Sequence, residues 1–117
     1  MFPAQQRIQR KRSKGWRLPC WAVCVTRPGL LGNPFTGPGA VDRYEKHLEQ
    51  ILLNHYPTLE EWRIVDRVRA IAAANLSVAC FCGPDKDCHG DVILRFSRKI
   101  RAGWAKWVEA EEFRGEL

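Results

Sequence analysis

No aspartate or glutamate occurs before Asp42. The same stretch holds seven Lys/Arg (Arg7, Arg10, Lys11, Arg12, Lys14, Arg17 and Arg27), leaving 12 of the 19 for the rest of the chain against 13 Asp/Glu. The excess behind the net charge of +6 therefore sits in the first third. Such asymmetry points to a polyanionic partner or an anionic ligand. A solvated, disordered tail would carry the same charges. Other absences narrow the class. No apolar run approaches the roughly 18 residues needed to cross a bilayer, so no membrane partner is expected. The basic N-terminus lacks a following hydrophobic segment, so it does not read as a secretory signal, and a cytoplasmic setting is expected. Five cysteines, an odd number, fit poorly with a disulfide framework. Neither a Walker A motif nor a G-x-G-x-x-G fingerprint is present, and there is no internal repeat or low-complexity tract.

What is there suits one small domain. At 117 residues, 45% apolar and 27% charged, the chain can build a single core. Residues 1–19 read as a basic arm packed on a domain of residues 20–117. Trp21 to Thr26 reads as a short buried strand, followed by a Gly/Pro-dense loop from Arg27 to Gly39. Val41, Tyr44, Leu48, Ile51 and Leu52 fall at helical spacing, and that helix must end before Pro57. Thr58 and Glu61 form a capping box for a second helix burying Leu59, Trp62, Val65, Val68 and Ala72. Leu76 to Cys82 reads as a second strand. From about Gly90, Ile93, Phe96, Ile100, Trp104 and Trp107 share one face of a last helix, weakened at Gly103. The order predicts a small α/β, Rossmann-like domain with a short, mostly parallel sheet flanked by helices. Ligands of such sheets sit at the carboxyl ends of the strands. Both Gly/Pro-rich loops follow a strand, so a parallel pair would bring them together.

The segment Cys80-Phe81-Cys82-Gly83-Pro84-Asp85-Lys86-Asp87-Cys88-His89-Gly90-Asp91 concentrates the reactive side chains. Cys80, Cys82, Cys88 and His89 supply the four N/S ligands of a structural zinc, although adjacent Cys and His strain a tetrahedron. Cys20 or Cys24 could replace one of them. Alternatively, Cys88 at a helix N-terminus would have its thiol pKa lowered and act as a nucleophile, with His89 or Asp91 as base or orienting group. Buried, inert thiols, with His89 and Asp91 capping a helix, are the plainer account. His47 and His55 read as boundary or surface residues of the first helix.

In the first loop, Arg27 can grip a phosphate or carboxylate, and Gly32 and Asn33 lie with it in a loop with enough Gly for close backbone approach to a ligand. In the arm, Arg10, Arg12 and Trp16 mix cations with an aromatic ring, a combination that contacts phosphates and stacks a base.

Three blocks, R-I-Q-R-K-R-S-K-G-W-R-L-P, V-C-V-T-R-P-G-L-L-G-N-P-F and C-F-C-G-P-D-K-D-C-H-G-D-V-I-L, read together resemble a small bacterial and phage family, domain of unknown function 4326. The likeness runs from about Arg7 to about Phe96. Thr26 and Leu31 stand where that family has Gly and Trp, Phe81 where it often has Trp, and Gly90 where it often has Ala. The resemblance implies that Arg27, Gly32, Asn33, Pro34, Cys80, Cys82, Cys88 and His89 form a shared pattern and that the arm belongs to the fold. It implies no activity. The combined expectation is a composite site taking a phosphorylated or nucleotide-like ligand, with Cys/His-dependent chemistry, nucleic-acid binding through the arm, and a zinc-stabilised interaction module all open.

Overall fold

In the computed structural model, residues 3–83 and 85–104 are described, so the expectations for Pro84 and Trp107 lie outside them. Three strands form one parallel sheet in the order β1 (Arg7–Gln9), β3 (Ser77–Cys80), β2 (Ala22–Cys24). Ile8 pairs with Ala79 and Val23 with Val78. β3 is buried at all four positions, as a central parallel strand must be. The strand in the arm has no apolar alternation to announce it. It forms because β3 offers an unpaired edge: Val78 N–H donates to Gln6 O and Arg10 N–H to Cys80 O. Gln5 then ties the arm down, donating to Leu76 O at 2.9 Å and Ser97 Oγ at 3.0 Å.

Three helices pack with this sheet: α1 (Ala40–Leu53), α2 (Leu59–Ala74) and α3 (His89–Arg101). Tyr44, Leu48, Ile51 and Leu52 of α1 are buried as their spacing predicts. The capping box of α2 is complete, with Glu61 N–H on Thr58 Oγ1 at 3.1 Å and Thr58 N–H on Glu61 Oε1 at 2.9 Å. Leu59 corrects the expectation for that helix. It is 69% exposed, because the first helical residue lies a turn ahead of the face that meets the core, and Ile71 is buried instead. His55 lies just past α1, not in it. α3 carries the heaviest apolar load, with Ile93 and Phe96 fully buried against α1, α2 and the sheet. It stops where Gly103 adopts φ +106°, and Gly103 and Trp104 N–H bond back to Ile100 and Lys99 carbonyls. Trp104 then stacks on Phe96 at 5.3 Å. No described helix is long and apolar enough to cross a membrane.

Candidate functional site

Because β2 and β3 run parallel side by side, the loops leaving their carboxyl ends emerge at one edge. Residues from both line a single pocket of about 390 Å³: Thr26, Arg27, Asn33 and Phe35 from the first, and Cys80, Phe81, Cys82, Asp87, Cys88 and His89 from the second. A direct bond joins them, between His89 Nε2 and Val25 O at 2.5 Å. A larger cleft of about 600 Å³ lies behind the first loop, against Tyr44, Leu48 and Ile51. It holds none of the thiols, which line the smaller pocket; Arg27 borders both.

The first loop is built to hold its shape. Asn33 is buried, its amide donating to Ala40 O at 3.2 Å while its Oδ1 accepts from Phe35 N–H at 2.9 Å. Asn33 therefore braces the pocket wall with both polar ends of its amide. Gly32 faces the larger cleft, and a Cβ there would stand 2.9 Å from Arg27 Cα, so its role is close packing of the loop on itself. The Arg27–Pro28 peptide is cis. Arg27 is exposed and forms no ion pair among the described residues. Leu31 is a core residue and does not line the pocket.

In the second loop, Cys88, not His89, caps α3, its Sγ accepting from Gly90 N–H at 3.4 Å. The expected activation of this thiol is reversed. Burial pushes the Cys88 pKa up, and the neighbouring Cys80 and Cys82 add to the rise, outweighing the helix-end bond. Burial likewise raises Cys82. The Sγ atoms of Cys80, Cys82 and Cys88 lie within 4.8 Å of one another, with Cys80 and Cys82 at 3.5 Å. These three cysteines could hold a metal ion. Cys20 and Cys24 stand outside the cluster and do not replace a ligand. Burial lowers the His89 pKa, with Arg27 and Arg7 acting the same way, which favours the neutral ring. Its Nδ1 lies 3.8 Å from Cys88 Sγ.

Asp91 does not orient His89. It sits half-exposed and accepts from Arg7 Nε at 3.0 Å. Arg7, which sequence reasoning missed as a site residue, is the organiser of the second loop. Its guanidinium also donates to the carbonyls of Cys82, Gly83 and Lys86. Only the count of basic residues in the arm hinted at it. Arg10 and Arg12 place their guanidinium carbons 4.8 and 4.0 Å from the Phe81 ring centre, and Arg10 also donates to Thr26 Oγ1 at 3.0 Å. Trp16 is half-buried and does not line the pocket. Four of the seven early cations, Arg7, Arg10, Arg12 and Arg27, thus lie around the carboxyl end of β3.

The architecture is that of a small parallel α/β domain with a pocket at the strand ends, lined by Arg27, three thiols and one histidine. A family model matches residues 8–99, and the chain belongs to the family described as Domain of unknown function (DUF4326). No curated protein and no solved structure matches it.

Proposed function

We propose that the domain binds a phosphorylated, nucleotide-like ligand in the pocket between the two loops. The observation that carries this reading is the facing of both strand-end loops across one cavity, with exposed Arg27 on its border. Arginine there offers a forked donor to a phosphate, and Phe35 and Phe81 line the same pocket. The arm adds Arg10 and Arg12 beside Phe81. The test is thermal-shift screening with nucleoside mono-, di- and triphosphates and sugar phosphates. A ligand at a hundred times its Kd stabilises by about 2.7 kcal/mol, roughly 10–20 °C for a domain of this size. Arg27→Ala should abolish the shift. Failure of every such ligand to stabilise the protein overturns the reading. Oligonucleotide binding with steep salt dependence, lost in an Arg10→Ala/Arg12→Ala variant, would instead make it a nucleic-acid-binding protein.

The thiol cluster supports a second reading, a bound zinc ion that braces the second loop. Elemental analysis of the purified protein decides it: stoichiometric zinc and unfolding by chelator are expected, and metal-free folded protein is the opposing result.

A further inference from the structure

We infer that Cys80, Cys82 and Cys88 form a three-thiolate zinc site whose fourth coordination position opens into the pocket, with His89 beside the ion and not bound to it. This rests on the zinc reading above and adds where the ion meets the ligand.

The donor set is sulfur throughout, which selects soft, thiophilic cations over magnesium or calcium. Zinc–sulfur bonds of about 2.3 Å place tetrahedral sulfurs about 3.8 Å apart. Cys80 and Cys82 stand at 3.5 Å, and no sulfur of the three is more than 4.8 Å from another, so small side-chain rotations close the site. Two ligands are carried by regular structure and one by the loop between them. Cys80 ends the central strand, and Cys82 lies two residues on, in the bend that leaves it, with its sulfur 3.5 Å from that of Cys80. Cys88 is fixed as the cap of α3, and Gly90 N–H already points at its sulfur, as an outer donor to a ligating thiolate does. Arg7 holds the carbonyls of Cys82, Gly83 and Lys86, which sets the path of the loop between the second and third ligands.

The fourth vertex is decided by where His89 is held. Its Nε2 is anchored on Val25 O, and its Nδ1 lies 3.8 Å from Cys88 Sγ, yet the mutually close group contains the three sulfurs alone. Consecutive residues at a helix start also project about 100° apart, so Cys88 and His89 do not converge on one point. The three cysteines share their pocket with Thr26, Arg27, Asn33 and Asp87. A donor atom of the bound molecule, or water, therefore completes the tetrahedron, the arrangement of zinc sites that keep an open position.

The experiment replaces zinc with cobalt(II) in the full chain and follows the visible spectrum. One metal per chain is expected, with a four-coordinate spectrum that changes when imidazole or 2-mercaptoethanol is added. His89→Gln should keep its affinity within about tenfold, the low end of what loss of a group beside the ligands costs. Cys82→Ser should lose tight binding; if that variant does not fold, titration of the chelator-stripped, reduced wild type gives the stoichiometry instead. No cobalt uptake by the reduced wild type overturns both this inference and the zinc reading. A cobalt spectrum indifferent to added ligands, with affinity lost in His89→Gln, overturns the open position while the zinc reading stands.

Discussion

Replacing Arg7 with methionine removes a cation whose side chain is 7% exposed. With it go the bonds to Asp91 Oδ1 at 3.0 Å, to the carbonyls of Cys82 and Gly83 at 3.3 Å, and to Lys86 O at 3.0 Å. A hydrogen bond to a charged group contributes about 1.5–3 kcal/mol, but bonds from one guanidinium do not add in full. Two features reduce the total. Asp91 is 52% exposed, so its half of the ion pair is screened by water. Methionine also retains much of the packing of the arginine stem. The expected net loss is about 2–4 kcal/mol, or a fall in Tm of roughly 8–30 °C for a domain this size. Urea unfolding should show the midpoint moving with an unchanged slope. Arg7→Lys should recover less than half, since an ammonium cannot fork across several carbonyls. Alkylation of Cys82 in the folded Arg7→Met protein should accelerate several-fold as its loop loosens. A loss below about 1 kcal/mol with unchanged Cys82 labelling would refute the view that Arg7 organises the second loop.

Tyr44 donates its hydroxyl to Leu31 O at 3.0 Å, and burial, then the nearby Cys88, push its pKa up. The unfolded chain loses that proton near pH 10 while the folded chain keeps it, so stability should fall as pH rises past 10. Tyr44→Phe should cost about 1 kcal/mol at pH 8 and flatten that decline, as read from urea midpoints between pH 8 and 10.5. Leu59→Ser should change stability by less than about 0.5 kcal/mol, whereas Phe96→Ala should cost about 3–5 kcal/mol; equal losses in thermal unfolding would contradict the packing described. Among the thiols, burial at Cys24 is outweighed by Thr26 and Arg10, which lower its pKa. Iodoacetamide followed by mass spectrometry should therefore label exposed Cys20 and then Cys24 in the native protein, leaving Cys88 protected; fast labelling of Cys88 would restore it as a nucleophile.

The helices were legible because their signals are local. The 3-4-7 spacing in α1 and the Thr58–Glu61 cap name their helices without reference to the rest of the chain. β3 announced itself by a β-branched, apolar run between Asn75 and Gly83. β1 did not, since Arg-Ile-Gln becomes a strand only when an open edge of β3 is beside it. Leu59 shows the opposite failure, a large apolar residue placed by a good local signal yet left in water. At the site, the convergence of the two loops was readable once a parallel pair was assumed. The partners of individual side chains were not. Asp91 stood two residues from His89 in sequence, and it pairs instead with Arg7, across the sheet edge.

Composition and spacing alone determined that this is one α/β domain with a basic N-terminal third and a cysteine-rich strand-to-helix junction. Those properties follow from hydrophobic period, capping residues and charge count, each of which acts over a few residues. Which charge meets which thiol was decided only by the tertiary fold. Parallel pairing of β1 and β2 on either side of β3 carries Arg7, Arg10 and Arg27 to the same end as Cys80, Cys82 and Cys88. The sign of the Cys88 shift was likewise a tertiary outcome: a helix N-terminus favours the thiolate, but burial among two other thiols outweighs it. Contacts across some 70–80 residues of sequence leave no local trace, because they depend on strand order and register, which any single segment is blind to.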